Sequence, residues 1–199
     1  MSVNMSSMEN FNFNNTQKII LLNLIEMIKK NELTSISIKD IAKICDISER
    51  TIFRNFESRD GLLDDLAKVM ANEINSPEIT QNISELSSYI QKLFYSFERD
   101  VELTLAALQK EIFERIRENQ AKRRWKDVQK LISKSFPRLD KTSQQIISGN
   151  IRFLLSASTW SYYRFNLGFS KKMTIEAIRF SINTQIESCV ENKVCTNNY

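Results

Sequence analysis

The chain has 199 residues, including three glycines, two prolines and no histidine, and its formal net charge is +4 at pH 7. The lack of histidine excludes Ser-His-Asp and Cys-His catalysis and most zinc or iron sites, and three glycines do not supply a phosphate-binding glycine loop. We therefore expect no enzyme, no metal site and no cofactor. The sequence has no apolar run of about 18 residues and no secretory signal, and its three scattered cysteines are typical of a reducing cytoplasm.

The scarcity of turn-forming residues predicts an all-α fold. Residues 1–15 are predicted to be a disordered arm and residues 193–199 a polar tail. Helical periodicity predicts helices over residues 16–30, 38–44, 48–55, 62–74 (after a start signal at Ser58), 83–100, 103–119, 121–136, 142–166 and 174–190. Asn75-Ser76-Pro77 is the predicted boundary between domains 16–75 and 76–192, because a helix seldom continues through the residue before proline.

The stretch from residue 37 to residue 63 predicts two short helices joined by a tight turn. Ser37 is expected to cap the first helix with Asp40 three residues on, and Ser48 the second. Asp46 lies where the turn requires a left-handed conformation, which Asp tolerates. The apolar positions of the first helix are expected at Ile38, Ile41, Ala42 and Ile44. Such a pair is a helix-turn-helix, whose second helix enters the major groove of DNA.

The second helix of this pair leaves several polar side chains pointing outward. Arg50 and Arg54 lie four residues apart and share one face. Arg binds guanine, Asn binds adenine, and Thr contacts a thymine methyl group or a phosphate. Arg59 lies at the next helix start, where backbone N–H groups can receive a phosphate. The predicted DNA-binding residues are Lys18, Ser37, Lys39, Ser48, Glu49, Arg50, Thr51, Phe53, Arg54, Asn55 and Arg59.

Residues 16–66 resemble the N-terminal domain of TetR-type transcriptional regulators. The pattern S-x-x-T-[LIV]-Y-x-x-F, followed by S-K-x-x-L-L, is matched at Ser48, Thr51, Ile52, Phe53, Phe56, Ser58, Arg59, Leu62 and Leu63. The resemblance implies a three-helix helix-turn-helix domain and a C-terminal helical bundle that forms a dimer interface. It also implies a homodimeric repressor that a small-molecule effector releases from a palindromic operator in double-stranded DNA.

Two features favour an alternative, a helical protein-interaction module with the same fold and little or no DNA binding. Phe53 replaces the tyrosine whose hydroxyl often meets a phosphate in the family. Residues 1–75 carry nine basic and eleven acidic side chains, so the predicted DNA-binding half is not basic overall.

The C-terminal half resembles the family more loosely, through Arg124, Leu139-Asp140, Ala157, Trp160 and Leu167-Gly168. In the family the last two helices pack against their copies in a second subunit. A near-heptad stripe suits this role. The predicted dimer-interface residues are Ile175, Ile178, Ile182 and Ile186, and the alternative is that they form intramolecular core.

Aromatic side chains cluster in the same half and suggest a pocket for an apolar or aromatic effector, with plain core as the alternative. The predicted ligand-binding residues are Phe94, Phe97, Phe113, Trp125, Phe153, Trp160 and Tyr163. The basic run at residues 122–126 is interpreted as a solvated helix face with one buried tryptophan, rather than a surface for nucleic acid or lipid.

Overall fold

The computed structural model describes residues 8–190, except for the side chain of residue 119. In chain order the helices are α1 (Asn15–Ile28), α2 (Ile38–Ile44), α3 (Glu49–Phe56), α4 (Arg59–Ile74), α5 (Leu86–Arg99), α6 (Val101–Ala107), α7 (Lys110–Ser135), α8 (Lys141–Leu154), α9 (Ala157–Ser161) and α10 (Lys171–Val190). Single 3₁₀ turns at Leu33–Ser35 and Ile83–Glu85 precede α2 and α5, and a π-helical segment, Tyr162–Asn166, follows α9.

Over the residues described, the prediction of an all-α fold is confirmed, since helices occur there and strands do not. None of the helices in this range combines the length and the apolar character that crossing a bilayer requires. Residues 1–7 of the predicted arm and the predicted tail 193–199 lie outside the described residues.

Residues 8–14 are packed, although the sequence predicts that they belong to a disordered arm. Met8 is fully buried, and the rings of Phe11 and Phe13 stack with their centroids 5.3 Å apart. Asn14 then caps α1 in a reciprocal pair with Gln17. The arm is rich in Ser and Asn, so its average composition does not reveal these three apolar side chains. Their burial accounts for the packing of the segment.

The described chain forms two compact units that are not contiguous in sequence. The first contains residues 8–76 and 99–119, and the second contains residues 77–98 and 120–190. The first division between the units, after residue 76, coincides with the predicted boundary. However, α6 and the start of α7 also belong to the first unit. Lys29 Nζ lies 3.1 Å from Asp100 Oδ2, which belongs to the residue that caps α6. The division therefore differs from two successive domains because α6 packs on α4 and is tied to α1 by an ion pair.

The first unit is built around α4, which packs against α1, α3 and α6. The buried residues of α4 are Leu62, Leu63, Leu66, Ala67, Val69, Met70 and Ile74. The opposing surface of α1 buries Ile20, Leu21, Leu24, Ile25 and Ile28. In α2, Ile41 and Ala42 are buried as predicted, whereas Ile44 is 55% exposed, so its assignment to the apolar face is wrong. Burying the remaining apolar side chains supplies the main force that holds the short helices α2 and α3 in place.

The helix boundaries between residues 101 and 136 differ from the prediction, and one glutamine side chain lies at the observed break. Gln109 Nε2 donates to the carbonyl oxygens of Ile28 and Asn31, and Gln109 Oε1 accepts from Leu33 N–H at 2.6 Å. These bonds satisfy groups beyond the end of α1 and coincide with the break between α6 and α7. The predicted break near residue 120 is absent, since α7 continues from Lys110 to Ser135.

The second unit buries the isoleucine stripe of α10 within a single chain. Ile175, Ile178 and Ile182 are 6%, 0% and 0% exposed, and Ile186 is half-buried. A side chain that its own chain fully encloses is not available to a second subunit. The assignment of these three residues to a dimer interface is therefore corrected, and the alternative of intramolecular core is confirmed.

The helix predicted over residues 142–166 is interrupted after α8. Ser156 Oγ accepts the N–H of Thr159 and thereby caps α9, and the Thr159 hydroxyl donates to the carbonyl of Phe153 at 2.7 Å. These two hydrogen bonds give the chain a turn without glycine or proline. After the π-helical segment, Gly168 has a φ of 69°, a conformation that glycine adopts without strain.

Candidate nucleic-acid interface

A short turn over residues 45–48 joins α2 to α3, and local hydrogen bonds start both helices. Ser37 Oγ accepts from Asp40 N–H at 3.2 Å, and Asp40 accepts from Ser37 N–H at 2.9 Å. Ser48 Oγ accepts from Thr51 N–H at 3.2 Å, and Asp46 has a φ of 52°. The predicted caps and the left-handed turn residue are confirmed, and they give the pair of helices a defined connection.

The inward face of α3 is buried through Ile52 and Phe56, which are 1% and 5% exposed. The side chain of Asn55, a predicted base contact, is already hydrogen-bonded within the chain. Its Nδ2 donates to the Thr51 carbonyl at 2.8 Å, and its Oδ1 accepts from Asn14 Nδ2 at 3.0 Å. Asn55 therefore holds α3 against the start of α1, and its base contact stays a prediction that requires these bonds to break.

The connection from α3 to α4 is close and conformationally restricted. Glu57, at the end of α3, has a φ of 63°, which is unusual for a residue with a Cβ. A Cβ added at Gly61 would lie 2.3 Å from the carbonyl oxygen of Phe56. Only glycine permits this approach, so Gly61 helps to fix the position of α3 relative to α4.

The outward face of α3 carries exposed arginines. Arg50 and Arg54 lie one turn apart, and neither forms an ion pair with any residue in the described range. Phe53, between them in sequence, is 42% exposed. The other predicted DNA contacts Ser37, Lys39, Ser48 and Glu49 are exposed, and Lys18 and Thr51 are half-buried. This face presents two guanidinium groups that can donate to base edges or phosphates.

Arg59, a predicted phosphate contact, is paired with a carboxylate from α7. Arg59 Nη1 lies 2.6 Å from Glu111 Oε2, and Nη2 lies 3.1 Å from Glu111 Oε1. These hydrogen bonds lower the pKa of the Glu111 carboxyl and raise the pKa of Arg59, because each charge stabilises the other. Beside this pair, Arg115 is ion-paired with Asp60 and Asp64. Sequence reasoning missed Glu111, since nothing in the local pattern connects residues 52 positions apart.

The seven predicted ligand-binding aromatic residues are divided between the two units and differ in exposure. Phe94, Phe97 and Trp160 are buried in the second unit, where the ring centroids of Phe97 and Trp160 are 5.9 Å apart. The indole Nε1 of Trp160 donates to Glu98 Oε1 at 2.9 Å. Phe153 is 68% exposed, whereas Trp125 and Tyr163 are half-buried. Phe113 is half-buried and belongs to the first unit.

A cavity in the second unit has a different lining. It lies between α5, α7 and α8, and three arginines and two carboxylates line it together with the tyrosine side chain of α5. The residues that carry these groups are Glu78, Tyr89, Arg123, Arg124, Asp127 and Arg152. None of the seven predicted aromatic residues lines this cavity, and their role in binding a ligand stays a prediction.

Sequence reasoning placed the basic run of α7 on a solvated face, and the structure separates its members. Arg123 is exposed, whereas Arg124 is half-buried at the cavity. The two arginines are adjacent in sequence, and their burial differs because the neighbouring helices pack on the side of α7 that carries Arg124.

A search for similarity to models of known protein families and to curated proteins finds no match to this sequence.

Proposed function

We propose that the protein is a sequence-specific DNA-binding transcriptional regulator, a cytoplasmic homodimeric repressor released from a palindromic operator by a small-molecule effector. The observation that carries the proposal is the pair Arg50 and Arg54, exposed on the outward face of α3 while the opposite face is buried. Folding alone does not require two exposed arginines without carboxylate partners on one helix face. A base edge or a phosphate would supply the acceptors that the described chain does not.

Dimerisation, in this proposal, uses the faces of α8 and α10 that the chain leaves exposed. On α8, Ile146 and Phe153 are 44% and 68% exposed, and a Cβ added at Gly149 between them would meet no atom within 4 Å. On α10, Met173 and Phe180 are 49% and 74% exposed and lie two turns apart on one face. Two apolar strips and a small residue that permits close helix approach suit a four-helix contact with a second copy. A two-fold dimer would match a palindromic operator.

The test is selection of bound sequences from a random DNA pool, followed by binding measurements on the enriched site. We expect two half-sites related by a dyad. Arg50→Ala and Arg54→Ala should each relax base preference and cost about 1–3 kcal/mol on the enriched site. Lys92→Ala, which removes an exposed cation from α5, is the charge-matched control and should leave base preference intact. Unchanged binding by both arginine variants would remove α3 from the proposed interface.

A second candidate function is a protein-interaction module, which the exposed apolar side chains of the same helix pair favour. Ile44 and Phe53 are 55% and 42% exposed. Large apolar side chains at the surface are typical of protein contact faces as well as of DNA contacts. A folded, dimeric protein that enriches no DNA motif would favour this function over DNA binding.

A further inference from the structure

The cavity of the second unit contains a guanidinium group that lacks a partner. Arg124, on α7, is half-buried at the cavity, and it forms no ion pair with any described residue. Its neighbour Arg123 is 63% exposed and pairs at 3.5 Å with Glu78, which is 86% exposed. The exposed pair thus lies at the solvent side of the cavity, and Arg124 lies deeper.

Burial without a counter-ion is unfavourable for Arg124. Burial lowers the pKa of its guanidinium, which shows that removal from water destabilises the charged form. The Tyr89 hydroxyl lines the same cavity, and burial raises its pKa. A neutral hydroxyl cannot balance the charge, so the chain leaves a desolvated cation whose partner has to come from elsewhere.

We propose that this cavity binds a small organic carboxylate whose carboxylate group pairs with Arg124. The cavity volume is about 20 Å³, which accommodates only a small group, so the carboxylate group enters and the hydrocarbon chain of the ligand occupies the open mouth. Binding of the anion depends on the cavity alone. Only its role as the effector depends on the proposed function.

The lining favours a carboxylate over a phosphate. Three arginines face two carboxylates, those of Glu78 and Asp127, so the excess charge is one and a monoanion neutralises it. A dianionic phosphate would be repelled by the same two carboxylates. Val128 and Leu155, which are 2% and 4% exposed, form an apolar wall for a short hydrocarbon chain. A guanidinium and a carboxylate also match geometrically as a two-bond pair.

The test is thermal unfolding of the full-length protein at constant ionic strength with propionate, propionamide or inorganic phosphate, in the absence of DNA. Propionate at ten times its Kd should raise Tm by about 3–6 °C, and propionamide should not. Arg124→Met should abolish the response and should unfold at the same or a higher temperature without ligand, because it removes an uncompensated charge. Lys122→Met, the matched control, removes an exposed cation of α7 that does not line the cavity, and it should respond as the wild type does.

The proposal is overturned if the wild type does not respond to propionate, if propionamide acts equally, or if Arg124→Met responds unchanged. A larger response to phosphate than to propionate also overturns the assignment to a carboxylate. If Arg124→Met does not fold, Arg124→Lys is the variant to test, because lysine keeps the positive charge but lacks the planar guanidinium that donates two parallel hydrogen bonds. Propionate should bind Arg124→Lys about tenfold more weakly, or weaker still. Equal affinity in that variant contradicts the proposal. None of these outcomes depends on DNA binding, which the sequence selection tests separately.

Discussion

Glu111→Gln should increase the affinity of the protein for every DNA sequence. In the wild type, Glu111 binds both terminal nitrogens of Arg59, at 2.6 and 3.1 Å, at the start of α4. If Arg59 contacts a phosphate, DNA has to displace this carboxylate first. The amide of glutamine keeps a similar shape but removes the charge that retains the guanidinium.

The magnitude follows from the exposure of the pair. The side chains of Arg59 and Glu111 are 41% and 32% exposed, so solvent screens their attraction. Exposed pairs contribute about 0.2–1 kcal/mol, and the two-bond geometry places this one in the upper part of that range, at about 0.5–1 kcal/mol. Releasing Arg59 should therefore lower Kd by about 2–5-fold for each arginine and about 5–30-fold for a dimer that uses both.

The assay is fluorescence anisotropy with the selected operator and with a scrambled duplex of equal length. Both Kd values should fall by the same factor, because a phosphate contact carries no sequence information. Glu114→Gln is the matched control, since it removes the same charge from an exposed position of α7, one turn away. Arg59→Gln and the double variant complete a cycle that isolates the contribution of the pair.

Two results would refute this reasoning. In one, Glu111→Gln and Glu114→Gln strengthen binding equally, which would mean that only the net charge matters. In the other, the gain persists in the Arg59→Gln background, which would mean that Arg59 does not contact DNA.

Phe180→Asp should convert the proposed dimer to a monomer, as measured by sedimentation. Tyr95→Asp, which changes an exposed aromatic residue of α5 outside the two strips, should leave the dimer intact. A dimer that tolerates Phe180→Asp would place the interface elsewhere. Gly61→Ala should destabilise the protein by about 1–3 kcal/mol in urea unfolding, because the new methyl group meets a backbone carbonyl, and an unchanged midpoint would contradict the close approach. The pKa of Glu111 is lowered in the folded protein, so its pair stabilises the fold above the pKa of the unfolded chain, about 4.3, and is lost as the pH falls through the folded value. The stability difference between wild type and Glu111→Gln should therefore shrink between pH 6 and pH 3, and a constant difference would show that the pair contributes nothing.

The helices α1 to α4 could be predicted closely because their signals are local. Ser37 with Asp40, and Ser48 with Thr51, are capping pairs three residues apart. Asp46 adopts its left-handed conformation in response to the turn that contains it. Interactions that close within one helical turn are encoded by residues that adjoin in the sequence, so a pattern reading identifies them.

The boundaries in the C-terminal half were predicted less well because side chains, and not glycine or proline, set them. Gln109 lies at the break between α6 and α7, where its side chain binds the end of α1, about 80 residues earlier in the chain. Thr159 makes a turn by binding the carbonyl of Phe153. Neither residue type is a helix terminator by itself, so the periodicity continued through both positions.

The sequence by itself determined that the chain is helical, that a pair of its helices is capped, and that two arginines share one face of the second helix of that pair. These features follow from the sequence because periodicity and capping depend on residues that are near neighbours in it. Only the tertiary structure decided that the isoleucine stripe of α10 lies inside one chain, that Arg59 is bound to Glu111, and that Arg124 lies in a cavity while Arg123 is exposed. Periodicity shows that a helix has an apolar or a charged face. Which surface that face meets depends on packing between segments far apart in the chain.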